Sequence, residues 1–486
     1  MTAPAAKVSL GLVSELAAAV PIFESSRRWW SLAVLSLALF MIYVDLTVVN
    51  VALPAIQAEL GIGLSQLQWT VNAYALAFAV FLLTAGKLAD HVGRRKIFVL
   101  GLVVFTVGSL ACALAGSGGL LIAARAIQGL GAALVLPSTL SIISATFHPR
   151  ERATAIGIWV GVSSIGLALG PLVGGALIET INWHWIFYVN VPIGAAGVVA
   201  ALLLVPESRD RSIDRALDLP GLASSAVALF ALTFALLEAN RYGWTSAPIV
   251  ACLATAAAGL VTFIVVELRS RKPMLDLSLF RNGTFSGANG VSLLSFFALF
   301  GVFFFVSIYL QNVLGYSALR TGATLLPFTV LLALSVPIAG RLTDRVGARW
   351  PMAAGMGVLG VSLLLESRLR LDSTFGDLLP GLLLGGLGVG MTLAPASAAV
   401  LASVPDDKAG VASGVVTTFR QTGGVLGVAV MGAIFAAQIG DLDPGDRLFP
   451  GAFMDGFEYA LLTGGVVAIA GGVIAAVTVA PARRRL

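Results

Sequence analysis

Gly86-Lys87-Leu88-Ala89-Asp90-His91-Val92-Gly93 returns 254 residues later as Gly340-Arg341-Leu342-Thr343-Asp344-Arg345-Val346-Gly347. Both octapeptides keep glycine at each end, a base at the second position and an aspartate at the fifth. A second set recurs at an offset of 257: Gly157/Gly414, Gly166/Gly423, Gly170/Gly427 and Gly175/Gly432. Two matches at nearly one offset predict a chain built twice over, its halves similar in architecture.

The material around the repeat says what the halves are. Of 486 residues 58% are hydrophobic and only 11% charged, with a mean hydropathy of +0.95. That is too little charge to cover a soluble protein of this length. Apolar stretches near twenty residues match a bilayer core about 30 Å thick, and their unbroken character excludes the alternating strands of a membrane β-barrel. The 54 glycines suit close helix packing in lipid.

Fourteen spans are expected near 31–54, 69–88, 97–115, 120–145, 153–178, 186–206, 218–239, 247–267, 284–311, 320–342, 351–367, 377–403, 409–437 and 456–479. The organisation that follows is a tail (1–30), a six-helix half (31–206), two linker helices (207–283), a second six-helix half (284–480) and a tail (481–486). With that count, 23 Lys and Arg fall on one face and five on the other (Arg241, Arg320, Arg368, Arg370 and Arg447), leaving Arg125 and Arg420 within spans. Positive charge stays inside, so both termini read as cytoplasmic in a multi-pass inner-membrane protein. Residues 8–23 are short for a signal peptide, carry Glu15 and precede Arg27 and Arg28; they read as part of the cytoplasmic tail.

Several classes are excluded. The net charge of +5 is explained by topology rather than by nucleic acid. Cys112 and Cys252 fall inside spans and suggest neither disulfide nor metal, and His91, His148 and His184 lie in separate loops. No GxxxxGK[ST], HExxH or GxSxG is present, so neither an ATPase nor an intramembrane hydrolase is indicated. No cofactor is expected.

Polar residues in unusual places carry the chemistry. In the first repeat loop Gly86 and Gly93 permit a tight turn while Asp90 stands among Arg94, Arg95 and Lys96; Gly340, Asp344 and Gly347 are the second copy. Taken alone this is equally an ordinary basic loop. Arg125-Ala126-Ile127-Gln128-Gly129 puts a guanidinium in hydrocarbon, at a cost of about 2.5–3.5 kcal/mol on insertion scales. It lies about 9 Å inside the outer boundary at 1.5 Å per residue, deep for a snorkelling side chain. Asp45-Leu46-Thr47-Val48-Val49-Asn50-Val51-Ala52-Leu53-Pro54 holds the one carboxylate placed deep in the bilayer, about 21 Å from the inner face by the same rise. Equal depth and opposite charge make Asp45 and Arg125 expected partners, as a static pair or a proton site. Glu238, Glu366 and Glu458 are placed at outer helix ends within reach of water. In Gly166-Leu167-Ala168-Leu169-Gly170-Pro171-Leu172-Val173-Gly174-Gly175, Gly170-Pro171 supplies a kink and the glycines close packing. Trp183-His184-Trp185-Ile186-Phe187-Tyr188-Val189-Asn190-Val191-Pro192 brings two tryptophans that could anchor at the interface.

These stretches, over nearly all of the chain from residue 30, resemble the major facilitator superfamily, specifically its fourteen-span drug:proton antiporter family. The resemblance implies an all-α fold of two six-helix halves with two inserted helices, and no enzyme activity. It implies that Asp90 holds the cytoplasmic side shut against a helix end of the other half, and that Gly166, Gly170, Pro171, Gly174 and Gly175 mark an antiporter. His91 stands where arginine is usual, which leaves a charged contact missing or pH-dependent, and His184 likewise replaces the usual arginine. Asn50, Gln128, Arg420 and Gln421 are the polar candidates for the substrate cavity. Arg420 has no acidic partner in sight and either faces the cavity or bonds to backbone carbonyls. Phe296, Phe297, Phe300 and Phe304 either receive a flat apolar body or face lipid.

The expected function is a monomeric, proton-coupled exporter of small neutral or monocationic amphiphiles, working by alternating access. An importer or a lipid or glycolipid exporter of the same fold is the alternative.

Overall fold

In the computed structural model the described residues are 5–209, 218–270, 273–405, 408–440, 442, 446 and 448–480, with side chains from residue 27 onward except at 149, 150 and 153. Arg447 and the 481–486 tail lie outside them. Among the described residues there is no strand. The first half comprises α1 (Ala5–Leu60), α2 (Leu64–Val92), α3 (Arg94–Ala113), α4 (Gly118–Thr146), α5 (Pro149–Thr180), α6 (Trp185–Tyr188) and α7 (Asn190–Leu204). The insert is α8 (Leu219–Tyr242) and α9 (Ala247–Arg269). The second half comprises α10 (Gly283–Ile308), which runs into a π turn over Tyr309–Val313, then α11 (Ala318–Thr324), α12 (Leu326–Val346), α13 (Arg349–Glu366), α14 (Phe375–Ala402), α15 (Ala409–Ile439) and α16 (Phe449–Thr478).

Among the described residues thirteen segments are long and apolar enough to cross a membrane. The remaining expected span is α13, whose 18 residues begin at Arg349 and end at Glu366, so its charged ends dilute its hydropathy. Helical structure begins well before the expected first span, at Ala5. Two expected spans are interrupted. The sixth is divided at Val189, because Pro192 has no N–H to offer the carbonyl four residues back. The tenth is divided at Leu325, two residues before Pro327, for the same reason.

The repeat in sequence is a repeat in packing. The pairs α1–α5, α2–α4, α3–α4, α3–α7 and α1–α7 have counterparts in α10–α15, α12–α14, α13–α14, α13–α16 and α10–α16. Atomic detail follows: Gly131 lies against Phe105 and Gly388 against Leu359, while Gly129 meets the carbonyl of Tyr74 and Gly386 that of Phe328. Each glycine lets a backbone approach that a Cβ would block. Gly93 (φ 134°) and Gly347 (φ 81°) are the hinge residues between α2 and α3 and between α12 and α13, taking the positive φ that side chains disfavour. At Gly93 a Cβ would also strike the Glu207 carboxylate, which accepts the N–H of Arg95 at 3.1 Å.

The halves meet along two seams, α2–α15 and α5 with α11 and α12. At the Trp183 end they are packed shut. Gly175 lies on the Ala318 carbonyl and Gly322 on that of Pro171. Leu319 N–H donates to Glu179 Oε2 (3.0 Å) and Gln311 Nε2 to the Val51 carbonyl (2.9 Å). At the Asp90 end the α5–α12 seam is loose: a Cβ at Gly157, Gly161 or Gly340 would meet nothing within 4 Å. The other seam stays closed there, Gly414 reaching Leu83. The insert lies on that closed seam. Trp69, Leu76 and Val80 of α2, Leu237 of α8, and Val425 and Ala429 of α15 form one apolar cluster. Ser65 and Trp69 donate to Glu238 Oε1, and Asn240 Nδ2 donates to the Ala433 carbonyl at 2.6 Å. Towards the Asp90 end, Lys87 donates to the Pro273 carbonyl (2.6 Å) and Lys408 pairs with Asp276 (2.6 Å).

Candidate functional site

The polar residues of the first half converge on one buried network. Asp45 of α1 is fully buried and Arg125 of α4 is 1% exposed. Arg125 Nη1 lies 2.6 Å from Asp45 Oδ2. The other carboxylate oxygen accepts from Gln128 Nε2 at 2.7 Å and from Asn190 Nδ2 at 3.1 Å. Arg125 also donates to Gln128 Oε1 (2.7 Å) and to the Thr70 carbonyl (3.2 Å), and its guanidinium lies 4.3 Å from the Tyr74 ring centre. Asn190 reaches Ser109 Oγ at 3.0 Å, and that hydroxyl donates to the Phe187 carbonyl at 2.9 Å. A buried ion pair survives desolvation only when its remaining valences are met. Here α1, α2, α3, α4, α6 and α7 all supply partners.

Gln128, expected in the cavity, is therefore a member of this network. Asn190, Ser109, Thr70 and Tyr74 were not expected in it. For Asn190 a signal existed, an asparagine inside an expected span and two residues before Pro192.

Gly170 and Pro171 have a local account. Gly170 gives room to Thr47 of α1, and the Leu167 carbonyl left without a donor by Pro171 takes the Thr47 hydroxyl at 3.5 Å. Gly166 and Gly174 lie against Phe40 and Val48 of the same helix. The motif thus joins α5 to α1 along most of its length, while Gly175 and the Pro171 carbonyl face α11.

Asp90 bonds to Arg94 within its own loop, Nε to Oδ1 at 2.7 Å, and Arg94 reaches the Ser141 carbonyl. Among the described residues it makes no ion pair or hydrogen bond to the second half. Asp344 is exposed and has no ion pair there either. Gly86 approaches Pro137 of α4, and Arg95 pairs with Glu207. The resemblance placed Asp90 against the other half; in this arrangement the α5–α12 seam is loose at that end, and Asp90 makes its ion pair with Arg94 instead.

Other expectations are corrected. Glu238 and Glu366 are buried, at 7% and 1%, rather than open to water; Glu458 is exposed as expected. A helical side chain leans towards its own N-terminus, which at the C-terminal end of a span means back into the membrane. Trp183 is buried, with Nε1 donating to Glu59 at 2.8 Å and its ring stacked on His184, and so is no interfacial anchor; Trp185 is exposed. Phe296, Phe297, Phe300 and Phe304 are all buried, so they do not face lipid. Arg420 bonds to the Leu393 carbonyl (3.0 Å) and Ser397 Oγ (2.7 Å) of α14, with the Phe296 ring 5.7 Å away.

Buried polar atoms without a protein partner remain on α1, α2, α10 and α15: Asn50 Oδ1, both amide atoms of Asn72, Asn289 Oδ1 and Gln421 Oε1. Contacts α1–α10 and α2–α15 join these helices across the halves. Unmet valences in such a place suit water or a ligand.

A duplicated helical membrane protein, sealed at one end of its seams and holding a caged ion pair in one half, has the architecture of a membrane transporter. The Major Facilitator Superfamily profile matches residues 35–428 and 290–485; the chain belongs to that superfamily. It is similar to the multidrug resistance protein Stp of Mycobacterium tuberculosis, 42% identical over 404 residues that cover 82% of this chain and 74% of the relative. The tetracenomycin C resistance and export protein of Streptomyces glaucescens is 36% identical, with 86% and 78% covered. The puromycin resistance protein of Streptomyces alboniger is 39% identical, with 84% and 82% covered. Among solved structures, a bacterial homologue of the human lysosomal transporter Spinster, inward-facing and unoccupied, has the same fold: TM-score 0.66, 19% identity, 93% of this chain and 97% of that one.

Proposed function

We propose that this transporter exports small amphiphilic drugs or metabolites, neutral or monocationic, in exchange for protons. The buried Asp45–Arg125 pair carries the reading. Three N–H groups occupy three of the roughly four lone-pair sites of the Asp45 carboxylate, an arrangement suited to the ionised form; withdrawal of one of those donors would favour the protonated acid. Gln128 and Asn190 sit on α4 and α7, so a small shift of either against α1 opens an oxygen. Arg125 keeps its bonds to Thr70 and Gln128 and is not stranded when Asp45 is neutral. Rocking of the halves then exchanges a proton-loaded, outward state for a proton-free, inward one. An inward proton gains about 2.3 kcal/mol per 100 mV. The charge asymmetry of the loops supports cytoplasmic termini in the cell membrane, with the sealed Trp183 end outside. The resistance and export proteins among the relatives support a drug-like cargo; the working unit in this reading is a monomer.

The test is Asp45→Asn in everted vesicles, with ethidium as a monocationic probe. The variant should reach the membrane and lose pH-gradient-driven uptake. Undiminished uptake overturns the role of Asp45, and wild-type vesicles that accumulate no probe on energisation favour an importer.

A further inference from the structure

The second half holds a carboxyl that the reading above does not use. Glu366, the last residue of α13, is 1% exposed, and neither of its oxygens has a hydrogen-bond partner. Its side chain fills a niche opened by Gly381 of α14, where an added Cβ would meet Glu366 Cγ at 2.6 Å. The nearby Ser362 hydroxyl is spent on the Gly381 carbonyl at 2.8 Å.

The internal repeat gives this position a meaning. Offsets of 254 on α3/α13 and 257 on α4/α14 superimpose Gly101 with Gly355, Leu134 with Met391 and Val135 with Thr392, and the same close contacts recur. By that register Glu366 corresponds to Cys112, whose sulfur lies 3.6 Å from Gln128 Oε1 at the edge of the Asp45 network. Arg125 and Gln128 correspond to Leu382 and Gly385. The second half has lost the cation and the amide and has gained an acid beside their vacated places.

Among the described residues no charge compensates it. The helices packed on α13 are α10, α12, α14 and α16. On α14, Asp377 is occupied by the Thr374 N–H and hydroxyl. After α10, Tyr309 donates its hydroxyl to the Arg370 carbonyl. On α12 the charges Arg341, Asp344 and Arg345 stand at the opposite end, and on α16 Asp455 and Glu458 are exposed, as is Tyr459. In the loop that follows α13, Arg368 and Arg370 are exposed. A lone carboxylate in such a site pays its full desolvation cost, whereas the neutral acid does not.

We propose that Glu366 is a second proton-binding site, loaded from the Trp183 end and carried through the transport cycle alongside Asp45. Only Ser367 and the short loop to α14 separate it from that surface, so parting of α13 and α14 by a turn exposes it. Its proton binding stands by itself; its use in transport rests on the exchange reading above.

The test uses purified full-length protein and its infrared carboxylic-acid band at neutral pH. Wild type and Asp45→Asn should show the band of a buried, protonated acid, and Glu366→Gln and Glu366→Met should lack it; methionine fills the niche without titrating. In everted vesicles, protons exchanged per ethidium should fall by one in both Glu366 variants. A band unchanged by either substitution, or an unchanged proton count, overturns the proposal. Asp45→Asn with undiminished uptake overturns the exchange reading instead, and leaves the infrared result standing.

Discussion

At the scale of single residues, the ion pair predicts an asymmetry in mutational cost. Removing one member of a buried pair typically costs about 3–5 kcal/mol because the other charge is stranded. Arg125→Met should therefore destabilise the protein strongly, and Asp45→Asn combined with Arg125→Met less than the sum of the two. Thermal unfolding in detergent, run as a double-mutant cycle, checks this; simple additivity would mean that the pair is not coupled. The network also bears on cargo charge. Asp45 is neutralised by Arg125, and α11 and α12 bear no acid before Asp344. Rigid dications should be exported more slowly than monocations of matched hydrophobicity, and equal rates would point to an acid reaching the cavity. Asp45 and Arg125 were legible from equal depth alone. The cage around them was not, since it depends on Asn190, Ser109 and Thr70 arriving from three further elements. Nor was the burial of Glu366, since depth counted along a helix ignores which way a side chain leans.

At the scale of elements, glycines decide which helices touch. Gly322 lies on the Pro171 carbonyl and Gly175 on that of Ala318. Gly322→Val should wedge the sealed end open, raising thiol labelling of a cysteine placed at the fully buried Val51 and lowering export severalfold. Unaltered labelling would place the seal elsewhere. The loop after α9 supplies a pH-linked contact. Lys408 and Ser278 donate to Asp276 and hold its carboxyl below the usual carboxylate range. A group whose folded value is depressed contributes stability above its unfolded value, about 3.9 for aspartate, and loses it as pH falls through the lower folded value. The tie is thus constant across neutral pH and releases only in strong acid. Both side chains are more than a third or nearly so exposed to solvent, so Asp276→Asn should cost no more than about 1 kcal/mol and less at high salt. A pH-dependent melting difference between pH 6 and 8 would contradict this. Apart from the early start of α1 at Ala5, helix positions followed from hydropathy to within several residues. The breaks at Val189 and Leu325 did not, because a proline can either kink a helix or end it, and packing chooses.

At the scale of the whole molecule, the repeat visible in two octapeptides is the plan of the fold, down to matched glycine contacts. What the sequence could not disclose is where symmetry fails: the charge network belongs to one half, and one seam is covered while the other is bare. Asp90→Asn and Asp344→Asn should slow turnover while leaving equilibrium ethidium binding within about twofold, since both stand in the last turns of α2 and α12, away from the buried network; equal losses in both would make these helix ends structural. The covered seam has a mechanical consequence. Glu238 and Asn240 fasten α8 to α2 and α15 at one end, while Lys87 and Asp276 tie the loop after α9 to the same two helices at the other. The protein is bound like a book, with α8 along its spine. If the halves rock as proposed, a fastened edge is expected to act as their hinge, and the fore-edge between α5 and α12 should travel furthest. Leu334 and Ile338 of α12 are exposed, so on that proposal the pages would part towards acyl chains, and an oily molecule dissolved in the leaflet would reach the gap without first entering water.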